Sequence, residues 1–316
     1  VITVGAIESM RMITNAITFT NIVTNIVENV NEDGETVTEE VVETNVVEET
    51  PFLELTDSND QVTSFSGRGN VGIGTEGQFG RFKPDLVAPG VFIVSARAKD
   101  WKPDDPDDSD DSGDSSEAKD NPLDKLKGTL NDLNEDLEEH YRFESGTSVA
   151  APVISGMLAL MQEFYTQRMK DPLTNSPALM KALLINGAQS LGSLYNLQVR
   201  NSANHQGWGM PDLRKSIPEI LDTSKDDEDA WPMRFFDQSM TNALATGQSR
   251  SWEITLSEDA MHFPLRTTLV WTDPPGNPNA AIKLVNDLDL IVTPIEDSDS
   301  SLDPGTNVVF YGNNIP

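Results

Sequence analysis

The sequence predicts an α/β fold through residue 220 and an all-β segment from Ser251 onward, on three observations. Short apolar runs at 1–7, Asp85–Val87 and Val91–Val94 are bounded by Gly and Pro and read as buried strands. Residues 148–169 and 177–187 are apolar stretches too long for strands and read as helices. The period then changes. Trp252–Leu256, Arg266–Trp271 and Asp287–Val292 alternate or run apolar between Pro, Gly and Asn turns, which is strand patterning.

Taken in order, Val1–Ala6 (Val-Ile-Thr-Val-Gly-Ala) opens as a strand. Residues 8–50 repeat Thr-Asn, followed mostly by Ile or Val, and two β-branched stretches flank Asn31-Glu32-Asp33-Gly34. Asp-Gly between β-rich arms is a hairpin signal, so this segment reads as an extended acidic ribbon, with a low-complexity loop as the other reading. Residues 99–121 are polar and acidic and read as a solvated loop. Leu123, Leu126, Leu130, Leu133 and Leu137 then recur at helical spacing and mark one apolar stripe packed on the parent domain. The helix from 148 is apolar on several faces and reads as central. Ser176-Pro177 supplies an N-cap and a first helical residue, and Gly187 a stop. Residues 221–250 read as a linker, and 251–316 as part of a second, β domain.

The 316 residues carry 52 acidic and 22 basic side chains, a formal net charge of −30. Phosphate binding needs a basic face, so nucleic acid is excluded as a partner, and so is docking on an anionic membrane. No apolar run approaches the length of a spanning helix. There is no cysteine, which removes disulfides and thiol chemistry. The three histidines, His140, His205 and His262, are too far apart in sequence for a His-rich metal site. The acidity is uneven: residues 8–50 carry net −9 and residues 100–139 net −12.

Chemistry concentrates in Glu144-Ser145-Gly146-Thr147-Ser148-Val149-Ala150-Ala151-Pro152, which runs straight into an apolar helix. A serine at a helix N-terminus sits among free backbone N–H groups that favour a developing oxyanion. Ala150 and Ala151 are small, and Pro152 is expected in the first turn. A serine before a helix is more commonly just a cap. The segment is, however, similar to the Gly-Thr-Ser-x-Ala-x-Pro nucleophile segment of the subtilisin-like serine proteases. Thr63-Ser64-Phe65-Ser66-Gly67-Arg68-Gly69, Lys83-Pro84-Asp85-Leu86-Val87-Ala88-Pro89-Gly90 and Gln206-Gly207-Trp208-Gly209 resemble further segments of that family, in family order, and Val1–Ala6 resembles the strand after its oxyanion-hole asparagine. Thr268–Gly276, Leu284–Leu290 and Tyr311-Gly312-Asn313 look like the C-terminal β-sandwich of KP-43-like subtilases.

The resemblance implies a subtilisin-like parallel sheet flanked by helices over 1–220, with 8–50 and 99–140 as insertions, followed by a partial jelly-roll. It implies a serine endopeptidase acting on peptides and proteins through Ser148, with Thr147 supporting the oxyanion and Ser145-Gly146 lining the substrate cleft. It also implies a secreted, extracellular monomer with structural Ca²⁺, for which Asp273, Asp287 and Asp289 are candidate ligands. Asp85, Pro89 and Gly90 are read as structural. A weaker EF-hand-like start, Asp108–Gly113, has Lys119 where the loop needs Glu. The family triad runs Asp, His, Ser, yet no His-Gly-Thr motif precedes Ser148. Two readings stay open: a piece of a longer enzyme whose Asp, His and Asn motifs lie before Val1 and which is inactive by itself, or a non-catalytic, calcium-stabilised extracellular scaffold. The acidic insertion 99–140 is read either as a rim favouring basic substrates or as a solubilising surface.

Overall fold

Parallel strands bury both faces, and two apolar runs of this sequence meet that demand by pairing with each other under a helix. The computed structural model describes residues 1–11, 13, 17–30, 36–49, 55–69, 81–102, 122–135, 137, 140–168, 176–192, 204–217, 233–258, 260–280, 282–295 and 309–312. The Asn31–Gly34 turn, most of the acidic loop with Asp108–Gly113, and Asn313 lie outside the described residues. The chain folds as two units, one of residues 1–7 with 60–316, the other of residues 8–59.

Strand β1 is Val4–Ile7. In the second unit, β2 (Ile17–Val30) and β3 (Thr36–Glu49) pair antiparallel from Ile17↔Glu49 to Val30↔Thr36. Of the two readings of this segment, the ribbon is therefore the one observed. Its stem is closed by hydrogen bonds: Met10 N donates to Asn59 Oδ1 (2.8 Å), Arg11 N to Thr56 O (3.0 Å) and Ile13 N to Thr56 Oγ1 (3.2 Å).

In the first unit, β4 (Leu86–Pro89) runs parallel to β1 in the register Val4↔Leu86 to Ile7↔Pro89. Strand β5 (Ile93–Ala96) follows, with Val91 and Phe92 fully buried between the two. Helix α1 (Pro122–Glu135) lies within the acidic segment 99–140. Of the leucine stripe, Leu126 is buried, Leu130 and Leu133 are half-buried, and Leu137 falls beyond the helix end. Strand β6 (Tyr141–Glu144) pairs antiparallel with β5. Helix α2 (Thr147–Glu163) packs on β1 and β4 and continues into a π turn, Phe164–Arg168.

Helix α3 (Pro177–Gly187) starts and stops where the sequence predicts, the Ser176 hydroxyl accepting from Leu179 N (3.1 Å). Beyond it, β7 (Ala188–Gln189) pairs with β8 (Met210–Pro211), and α4 (Leu213–Ser216) closes this part. The core joins Ala6, Leu86 and Ala88 of the strands to Ala150, Ile154 and Met161 of α2 and Leu183 and Leu184 of α3. Each large aliphatic side chain buried here contributes about 1.5–3 kcal/mol.

Two expectations change. Helix α2 is not buried all round: Ala150, Ile154 and Met161 face the core, but Leu160 is 55% exposed and the space over Gly156 is open. The C-terminal part has one described strand pair, β9 (Ile291–Val292) with β10 (Phe310–Tyr311). Trp252–Leu256 and Arg266–Trp271 have no ladder partners among the described residues, and their apolar side chains Trp252, Ile254, Leu256 and Leu269 are exposed. A strand needs a neighbour for its N–H and C=O groups as well as a pattern. Phe235 and Val270 pack on the core, and Arg266 donates to the Asn186 carbonyl (2.8 Å), fixing this part to α3. Among the described residues no helix is long and apolar enough to cross a membrane.

Candidate active site

Strand β6 delivers the chain directly into Ser145-Gly146, and α2 starts at the next residue. Two bonds from the core hold this turn. Phe92 N donates to Ser145 Oγ (2.9 Å), and Gly146 N donates to Gly90 O (2.8 Å). The Gly146 carbonyl then accepts from Val149 N (3.0 Å) and Ala150 N (3.2 Å), opening the helix. Gly146 sits at φ 153° and ψ 162°, a conformation confined to glycine. Gly90 allows the close approach: a Cβ there would lie 2.7 Å from Ala6 Cβ and 2.9 Å from Gly146 O.

Ser148 is the second residue of α2 and is exposed. The N-cap is glycine, and no side chain caps the terminus. The N–H groups of Thr147 and Ser148 have no intrahelical acceptor, and the helix dipole adds positive potential at the serine. Pro152 is the sixth helical residue rather than part of the first turn, because the helix begins at Thr147. Its missing N–H leaves the Ser148 carbonyl without its i+4 donor. Ser145 is tied to Phe92 through its hydroxyl, a positioning role that its sequence context did not reveal. Gly146→Ala forces an alanine into this backbone geometry. The expected cost is about 1–3 kcal/mol, read by chemical denaturation against wild type.

The segments singled out in the sequence converge on one another. Ala6 N donates to Ser66 Oγ (3.0 Å) and Gly69 N to Lys83 O (2.7 Å). Trp208 N donates to Asp85 O (2.9 Å) and Val87 N to Gly209 O (3.1 Å). Gln206 is fully buried, its Oε1 accepting from Leu191 N (2.8 Å). Asp85 organises this junction. Its carboxylate accepts from Thr3 N (2.8 Å), Thr3 Oγ1 (3.0 Å), Lys83 Nζ (3.0 Å) and Lys181 Nζ (3.0 Å). Burial pushes its pKa up, but the Thr3 hydrogen bond and the two ammonium groups outweigh burial and hold it below the ordinary value. Lys181 lies on α3, remote in sequence from Asp85, so no local pattern could have announced the pair.

His140 contributes its carbonyl to Arg97 N (2.8 Å), at the ends of the acidic segment 99–140, and His262 ends a short turn, Ala260–His262. His205 lies in the turn that precedes Gly207, and burial together with the positive charge of Arg68 holds its imidazole below the ordinary value.

Among the described residues no group of three His, Asp or Glu side chains is placed to hold a metal ion. Asp287 and Asp289 are exposed. The Asp273 carboxylate instead accepts from Val285 N (2.8 Å), Asn286 N (2.9 Å) and Asn286 Nδ2 (2.9 Å). The Val285 bond leads in lowering its pKa, against a smaller opposing effect of desolvation. This aspartate fixes the turn leading into β9.

The sequence profile of the subtilase family (peptidase S8) matches residues 1–209. Three curated proteins of Dictyostelium discoideum are similar. The serine protease/ABC transporter B family protein tagD is 29% identical over 294 residues, covering 81% of this chain and 14% of its own length. The family proteins tagB and tagA are 26% and 28% identical, covering 69% and 74% of this chain. Each is covered over 12% of its own length, so the chain spans a small fraction of these relatives.

Proposed function

We propose that this chain, which belongs to the subtilase family over residues 1–209, carries the nucleophile of a serine endopeptidase, and that Ser148 is that nucleophile. The observation that carries the reading is the exposed Ser148 hydroxyl at an N-terminus that no side chain caps, on a turn held to Gly90 and Phe92.

In the proposed reaction, Ser148 Oγ bonds to the carbonyl carbon of the scissile peptide and its proton passes to a histidine. That histidine then protonates the leaving amine as the C–N bond breaks, and water resolves the acyl-enzyme. The Ser148 N–H donates to the developing oxyanion. The histidine, its orienting aspartate and the second oxyanion donor come, in this proposal, from polypeptide preceding Val1. The open apolar face of α2, with Val153 and Leu160 exposed, supports a further layer of the domain packing there.

The 316-residue chain by itself is then expected to show no peptidase activity. The test is hydrolysis of a fluorogenic peptide library by the full-length protein and by this chain alone. Turnover by the full-length protein alone supports the proposal. Turnover by the isolated chain, lost in Ser148→Ala, would overturn the dependence on upstream residues. The KP-43-like sandwich and the extracellular location also stand as proposals. For the sandwich, the support is the exposed alternating row Trp252, Ile254 and Leu256, which suits a sheet face covered by a second layer. The proposal does not extend to a bound calcium ion.

A further inference from the structure

The acidic insertion is built into the approach to Ser148. Helix α1 ends against β6, where Asn134 is 3% exposed. Its Oδ1 accepts from Phe143 N (2.6 Å) and its Nδ2 donates to Phe143 O (3.1 Å). Phe143 faces Val94 across the β5–β6 pair, and on the other edge of β6 a single side-chain amide supplies the donor and acceptor that another strand would supply. The root of the insertion is closed as well. Arg97 N donates to His140 O (2.8 Å), and the Trp101 ring centre lies 4.6 Å from Arg97 Cζ and 5.2 Å from Arg142 Cζ.

The run 143–146 is thus held at Phe143 by the insertion, at Ser145 by Phe92 and at Gly146 by Gly90. Two of these holds belong to the core, and the third comes from a segment that the family pattern does not require.

We infer that α1 braces the strand carrying the nucleophile turn, with Asn134 as a positioning residue for Ser148. This inference rests on Ser148 being the nucleophile. Neither the solubilising reading of the insertion nor the substrate-rim reading requires such a contact. A misplacement of about 1 Å at a reacting atom costs on the order of 100-fold in rate. Loosening one of the three holds should therefore lower kcat by about 10- to 100-fold and leave KM within about twofold, because Asn134 acts on the geometry of Ser148.

The experiment uses the full-length protease with Asn134→Ala and Asn134→Asp. Readouts are kcat and KM on a peptide substrate, the rate of Ser148 labelling by a fluorophosphonate, and hydrogen exchange at the Phe143 amide. Asn134→Ala should lose kcat, labelling rate and Phe143 protection together. Asn134→Asp keeps the acceptor for Phe143 N but loses the donor to Phe143 O, so it should fall between wild type and Asn134→Ala in all three. If Asn134→Ala does not fold, Asn134→Asp alone decides. A folded Asn134→Ala with kcat within twofold of wild type would overturn the inference, as would an Asn134→Asp with an unprotected Phe143 amide and wild-type kcat. A wild-type protein that neither hydrolyses nor labels overturns the nucleophile reading and this inference with it. An active wild type beside an unaltered Asn134→Ala overturns this inference alone.

Discussion

Ser148→Ala in the full-length protein is expected to lower kcat by about 10⁶-fold, the loss that follows removal of the serine or histidine of a subtilisin triad. The members of such a triad act as a unit, so pairing this change with loss of the histidine should cost little more. Stability should hardly move, because Ser148 is exposed and its side chain does not cap α2. Alanine is also the better helix former. An exposed position of this kind changes stability by no more than about 0.5 kcal/mol. The combination is diagnostic. A serine that merely capped the helix would cost about 1 kcal/mol on replacement and leave the chemistry intact. Parallel peptide hydrolysis and thermal melts separate the two.

The second large effect is on stability. Asp85→Asn removes the negative charge that pairs with both Lys83 and Lys181, at a side chain only 10% exposed. Breaking a buried ion pair by removing one partner costs about 3–5 kcal/mol, and the partial exposure of both lysines puts the expectation at the lower end. The same carboxylate joins Thr3, next to β1, to the start of β4, whose far end leads to Gly90 and, through it, to the Ser145-Gly146 turn. The variant should therefore lose activity as well as stability.

The pH dependence follows from the lowered pKa. The contribution of Asp85 is fully present above its ordinary value of 3.8, and it is lost as pH falls through the lower folded value. Wild type and Asp85→Asn should differ most at neutral pH and converge below that window. Urea midpoints measured from pH 7 down to pH 3 would check this. A constant gap across the range would mean that the charge is not what stabilises the junction.

What was legible in the sequence was mostly local. The strand over Val4–Ile7, the caps of α3 at Ser176 and Gly187, and the long ribbon each follow from neighbouring residues and their period. The turn into α2 was legible for the same reason: Gly146, Thr147 and Ser148 are contiguous and run into a helix. Long-range partners were not legible. The Lys181–Asp85 pair, the Phe92–Ser145 bond and the grip of Asn134 on Phe143 join residues that only the fold brings together. Helix α2 looked central because its composition is apolar, but composition does not say which face has a neighbour. In the C-terminal part, alternation at Trp252, Ile254 and Leu256 indicates a sheet face without supplying the strand that would pair with it.

Reaction of the full-length protein with a serine-directed fluorophosphonate, mapped by mass spectrometry, tests the central claim most directly. One adduct per chain is predicted, on the peptide containing Ser148, absent from Ser148→Ala and absent from the isolated 316-residue chain. An adduct on another residue, or an unmodified Ser148 in a folded full-length protein, would contradict the assignment of Ser148 as the nucleophile.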